Sequence, residues 1–130
     1  MAWLLDTCIA IDLRDSRGDI VSRVTSLSMR PFISAITKVE LEGGIYSNPA
    51  HTDRRRRALD VVLGSLEIID FDSAMADIYG AIVAKHGFNR RKAIDRMIAA
   101  TAMVHGLTLI TSNGADFSDI DGLDLLVWAA

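Results

Sequence analysis

This chain has little of several features that commonly declare a protein's class. Its 130 residues include one cysteine, two prolines and three histidines, and aromatic residues make up only 6%. A single cysteine, Cys8, excludes an internal disulfide framework and suits a reducing compartment. With half its residues hydrophobic and a quarter charged, the chain does not have the composition of a disordered one. No apolar stretch approaches the roughly 18 uncharged residues that a membrane span needs, and no basic segment precedes the apolar N-terminal residues. Neither a membrane anchor nor a secretion leader is expected, and a cytoplasmic location is. The histidines, His51, His86 and His105, share no metal-ligand spacing with one another or with Cys8, so structural roles are expected. A nucleophile elbow, a Walker loop and a dinucleotide fingerprint are all missing.

A basic excess is missing too. The net charge is −3, which argues against tight non-specific binding to DNA. The charge is uneven, however. Arg54–Arg57 and Arg90–Lys92 are compact cationic blocks in an otherwise acidic chain. Four consecutive arginines span a full helical turn, so the first block is expected to be mainly a solvated helix face.

What is present is an alternation of short apolar runs with helical periodicities, without repeats or linkers. The length predicts one domain over residues 1–130. Ala2–Leu5, Pro31–Ser34, Leu66–Phe71, Leu107–Thr111 and Leu123–Trp128 read as strands. Between them, "SAITKVELEGGIY" places Ile36, Val39 and Gly43 on one helical stripe. A second helix is expected from Asp72 or Ser73 to Gly87, and a third carries Ile94, Met97, Ile98 and Thr101 before Gly106. Strands alternating with helices predict an α/β domain whose mainly parallel sheet has helices on both faces. The few polar residues in the strand runs suggest strands covered on both sides.

Ligands of such sheets bind beyond the carboxyl ends of the strands. Asp6 directly follows the first strand, and Asp116 lies just beyond "LTLIT". Glu40 sits one to two turns into the helix after "PFIS", and Asp95 in the first turns of its helix leans over the small residues Ala99 and Ala102. Each has an ordinary explanation alone: an N-cap for Asp6, a solvated acid for Glu40, a helix-dipole partner for Asp95, a turn former for Asp116. As a set they are four acids from four separated segments, each assignable to one end of one sheet. Carboxylates so gathered repel unless a cation sits among them, and all-oxygen ligation suits Mg²⁺ or Mn²⁺.

These segments, in this order, resemble the PIN-domain ribonucleases, and among them the VapC-type toxins of toxin–antitoxin pairs. "LLDTCIAIDL" is similar to the family's opening strand–Asp–Thr segment. "ISAITKVELEGGIY" resembles its Glu-Leu motif with a glycine three residues on, here Glu40, Leu41 and Gly44. "AIDRMIAATAMVHGLTLITSNGADF" resembles its closing stretch. The resemblance implies a PIN-like three-layer α/β/α sandwich and Mg²⁺- or Mn²⁺-dependent hydrolysis of RNA. It also implies a homodimeric toxin neutralised by a VapB-type antitoxin.

Carried over by position, the catalytic set is Asp6, Glu40, Asp95 and Asp116. Asp6 and Asp95 are then the expected direct metal ligands, with Thr7, Thr111 and Asn113 in support. Arg90, Arg91, Lys92 and the neighbouring Arg96 are placed to contact RNA beside an acidic site that would otherwise repel it. One departure is visible: the family usually has Asn where this chain has Cys8. Two other readings are open: a phosphotransfer receiver, disfavoured because "LTLIT" lacks a lysine, and a PIN-like domain that binds RNA or a partner without cleaving.

Overall fold

The computed structural model describes residues 2–129. Five strands, β1 (Trp3–Leu5), β2 (Phe32–Ser34), β3 (Glu67–Ile69), β4 (Thr108–Thr111) and β5 (Leu125–Val127), form one sheet in the order β3-β2-β1-β4-β5. Every pairing is parallel. Six α-helices connect them: α1 (Thr7–Arg14), α2 (Gly18–Thr25), α3 (Ala35–Ile45), α4 (Thr52–Leu63), α5 (Ser73–His86) and α6 (Ala93–His105).

Side chains alternate across the pleat, and the alternation sorts the core into two layers. Leu5, Ile33 and Ile110 pack with α1, α2, α3 and α4 through Ile9, Ile20, Leu41 and Leu59. Their neighbours Leu4, Phe32 and Leu109 face the other way, onto α5 and α6 through Ile82, Ile98 and Ala102. The result is the expected three-layer α/β/α sandwich. Leu4 and Leu5 are both fully buried, one per layer, and each contributes about 1.5–3 kcal/mol of hydrophobic stabilisation.

The strand order fixes where a site can form. From β1 the chain builds outward through β2 to β3, then crosses to the other side of β1 for β4 and β5. The reversal falls between β1 and β4, at whose carboxyl ends stand Asp6 and Thr111. The backbone is tied shut there, the Asp6 N–H donating to the Ile110 carbonyl at 2.9 Å.

The helix boundaries follow their caps. The Asp72 side chain accepts from the Met75 N–H and starts α5, while Gly106, at φ 62°, ends α6 in the left-handed region. Two expectations need correction. The outer strands are not covered on both sides, since Glu67, Ile68, Leu126 and Val127 are exposed. The buried face of α3 carries Thr37, Leu41 and Ile45, whereas Val39, placed on the expected stripe, is 67% exposed.

Candidate active site

At the carboxyl edge of the sheet the chain buries hydroxyls and an acid where its periodicity would place apolar groups. Asp6 is 5% exposed, and Ser34, Thr37 and Thr111 are fully buried. Each is hydrogen-bonded. Asp6 ends β1 and caps α1, its Oδ1 accepting from the Thr7 N–H at 2.8 Å. Its Oδ2 accepts from the Thr111 hydroxyl at 2.8 Å and the Cys8 thiol at 3.3 Å. The Asn113 N–H donates to Thr111 Oγ1 at 3.0 Å, which fixes that hydroxyl toward Asp6. A carboxylate offers about four acceptor positions, so this one is held rigidly with capacity left for a ligand.

Glu40 arrives from α3, on the neighbouring side of the edge. The Thr7 hydroxyl donates to Glu40 Oε1 at 2.6 Å and lies 3.1 Å from the Thr37 hydroxyl. Thr37 is three residues before Glu40, so both side chains lie on one helix face. Glu42, two residues on, points elsewhere: Arg56 donates to it at 2.6 Å and holds its carboxyl below the ordinary range. Asp95 enters from the first turn of α6, whose N-terminus reaches the same edge because α6 leads into β4. Asp116 lies in the short 3₁₀ turn Gly114–Asp116 after β4.

Electrostatics ties the four together. The Asp95 carboxyl is pushed up to about 6, chiefly by burial, and next by the negative charges of Asp6, Asp116 and Glu40, with Lys92 partly offsetting them. The acids therefore share one neighbourhood across four elements. Among the described residues, no three or more acidic, histidine or cysteine side chains stand close enough to form a ready-made ion cage. A hard divalent cation does not require one, because Mg²⁺ keeps several waters and is commonly held by one or two carboxylates together with substrate phosphate. The donor set fits such an ion: every donor is oxygen, and the mutual repulsion at Asp95 is what a cation relieves.

Over residues 3–123 the sequence matches the family model described as PIN domain. The chain belongs to the PIN domain family. Ribonuclease VapC1 of Rickettsia felis is 31% identical over 132 residues, covering 97% of this chain and 96% of that one. The tRNA(fMet)-specific endonuclease VapC of Shigella flexneri is 26% identical and covers 99% of both chains. Among solved structures, the chain is similar to VapBC2 from Rickettsia felis bound to a promoter DNA fragment. There the TM-score is 0.86 at 26% identity, covering 98% of this chain and 99% of that one. It is also similar to DNA-bound VapBC from Salmonella typhimurium, with a TM-score of 0.85 at 28% identity and 99% of both chains covered.

Within this PIN fold, Cys8 partly stands in for the expected amide. Its thiol donates to Asp6 and accepts from the Ser112 hydroxyl at 3.1 Å. Burial pushes that thiol above its ordinary value, opposed by the Ser112 hydrogen bond, so it stays protonated and able to donate. Sequence reasoning missed Ser112 and Thr37. A hydroxyl one helical turn before Glu40 was a usable signal for Thr37, and nothing comparable marked Ser112.

Of the expected RNA-binding cations, Arg96 is excluded. It is 4% exposed, and its guanidinium donates to the Gly87 carbonyl at 2.7 Å, bracing the α5–α6 connection from inside. Arg90 and Arg91 are exposed just before α6 and remain available.

Proposed function

We propose that this PIN-domain protein is a divalent-metal-dependent endoribonuclease and the toxin of a VapBC-type pair, with one catalytic domain and a cytoplasmic site of action. The observation that carries the reading is the gathering of Asp6, Glu40, Asp95 and Asp116 at the carboxyl edge where the strand order reverses, with the Asp95 carboxyl raised chiefly by burial and next by the charges of Asp6, Asp116 and Glu40. Its VapC-named relatives, and the VapBC complexes that share its fold over nearly the whole chain, support the same reading.

Asp6 and Asp95 are the residues we assign to hold the ion, Mg²⁺ or Mn²⁺, and Glu40 and Asp116 complete the acidic set. When bound, the ion supplies Lewis-acid stabilisation of the phosphodiester and of the leaving oxygen. Thr111, Cys8 and the Thr7 N–H fix the Asp6 carboxylate, so that it needs no reorganisation to meet a ligand. Thr7, which also donates its N–H to Asp6, holds Glu40 beside it at the same edge, and there we assign the Glu40 carboxylate to orient water or accept a proton. Arg90 and Arg91 flank the Asp95 helix and attract the RNA backbone toward an edge that otherwise repels it. The partners that follow from this reading are RNA, a VapB-type antitoxin encoded nearby, and a second copy of the chain.

The test is cleavage of RNA by the purified protein with Mg²⁺ or Mn²⁺, against EDTA and against Asp6→Asn, with new 5′ ends mapped. Metal-dependent cleavage lost in Asp6→Asn, and growth arrest on induction that the adjacent reading frame relieves, are the expected results. RNA binding without cleavage under any metal would replace this reading with a binding-only PIN domain.

A further inference from the structure

Away from the acidic edge the protein has a cavity of about 470 Å³ lined by Arg14, Asp15, Ser16, Arg54, Arg55 and Ala58. Three guanidinium groups meet there against a single carboxylate, and that carboxylate is already engaged. Arg14, 8% exposed at the end of α1, donates to both oxygens of Asp15, from Nε at 3.0 Å and Nη2 at 3.3 Å. Arg55 is met only by neutral groups, donating to the Gly44 carbonyl at 2.8 Å and Ser47 Oγ at 3.2 Å. Arg54 Nη2 lies 3.0 Å from His51 Nδ1. Among the described residues, neither Arg54 nor Arg55 has an acidic partner within ion-pair distance. The next residue, Arg56, shows the contrast: it pairs with both Glu42 and Asp60.

We propose that this cavity holds a backbone phosphate of the bound RNA strand, away from the scissile bond; the proposal rests on the RNA-cleaving reading given above. Adjacent unneutralised guanidinium groups call for an anion, and their planar forks match phosphate oxygens in pairs. The lining favours nucleic acid over a docking polypeptide. Only Ala58 is apolar, so the lining offers none of the apolar core around which a protein interface excludes water. A strand held by its backbone needs donors alone.

The placement also fits. Asp6 caps the start of α1 and Arg14 ends it, eight residues or about 12 Å along the axis. On α3, Glu40 and Gly44 are about one turn apart, and Gly44 is where Arg55 docks. One strand can therefore span the acidic edge and the cavity within a few nucleotides.

The experiment measures binding of a labelled single-stranded RNA of about 12 nucleotides, within the usual footprint of such sites, by anisotropy in EDTA so that nothing is cleaved. Arg54→Gln, Arg55→Gln and Arg54→Glu are compared with wild type and with Arg57→Gln, an exposed neighbour that does not line the cavity. Each neutral cavity variant should weaken binding several-fold and flatten the plot of log affinity against log salt by about 0.7, the value for one lost phosphate contact. Charge reversal should weaken it further, and Arg57→Gln should match wild type. If Arg55→Gln loses its fold with the Gly44 contact, the exposed Arg54 variants still decide the matter. Wild-type affinity and salt slope in the Arg54 variants would overturn the phosphate site, even if those variants lose antitoxin binding, which would assign the cavity to an acidic segment of the partner. Should the wild-type protein neither bind nor cleave RNA, it is the ribonuclease reading that fails.

Discussion

Replacing Asp95 by Asn should stabilise the metal-free protein while disabling it. The Asp95 carboxyl sits at about 6 instead of an ordinary 3.8, from burial and then from three like charges. Kept ionised near pH 7.5, it opposes folding by up to about 3 kcal/mol. Asp95 is only half-buried, so water screens part of that, and Asn forgoes the attraction between a carboxylate and the start of α6, about 0.3–1 kcal/mol. The net gain expected is about 1–2 kcal/mol, at about 4 °C in Tm per kcal/mol for a chain of this size.

The pH dependence has a definite sign. Between about pH 4 and 6 the folded state carries a proton on Asp95 that the unfolded state has lost, so wild-type stability falls as pH rises through this window. The advantage of Asp95→Asn is therefore largest above about pH 7 and falls to about half at about pH 5, where the folded state keeps a proton that the unfolded state has lost. It disappears only below about pH 4, where both states are protonated. Thermal melts in EDTA at both pH values measure it, and added Mg²⁺ or Mn²⁺ should raise the wild-type Tm more than the variant's. A variant less stable than wild type near pH 7.5, or a gain equal at both pH values, would refute the cost of ionising Asp95, by burial and charge crowding together, as the source of the strain.

Other outcomes follow from single contacts. Arg96→Met keeps the buried stem but deletes the hydrogen bond to Gly87, and should cost about 1–3 kcal/mol by urea denaturation. Gly114→Ala would put a Cβ 2.7 Å from Val127 Cγ2, and the stiff, branched Val127 must shift to admit it. We expect a loss of about 1–3 kcal/mol, measured by thermal melt, as the turn carrying Asp116 is pushed from β5. The Cys8 thiol, raised by burial, should react with iodoacetamide more slowly at about pH 8 than a free cysteine does; labelling at the free-thiol rate would contradict its place beside Asp6 and Ser112.

The fold was largely readable because its strands are short apolar runs punctuated by caps that behave as their chemistry dictates, Asp72 and Gly106 among them. The gathering of the four acids was readable for a related reason: Asp6, Asp95 and Asp116 stand where a strand or helix meets the carboxyl edge, and Glu40 lies one to two turns into α3. The errors were of two physical kinds. Cations look alike in a sequence, so nothing separated Arg96, buried as a brace, from Arg90 on the surface, or Arg56, neutralised by two acids, from Arg55 beside it.

The second kind is more instructive. Apolar periodicity on α3 pointed to Ile36, Val39 and Gly43, but the inward face begins with Thr37, whose hydroxyl meets Thr7 beside Glu40. Four of the buried polar residues, Asp6, Ser34, Thr37 and Thr111, fall in the same place, at or just past the ends of β1, β2 and β4. Hydrophobic patterning assumes that buried means apolar, so it fails wherever a protein spends burial on oriented hydroxyls and acids. Here that failure is concentrated at the edge where the acids converge, with Thr101, Arg96 and Arg14 buried elsewhere. The misread stripe on α3 is thus itself a pointer to the site, because only a demand other than packing explains a polar residue at the head of a buried helix face.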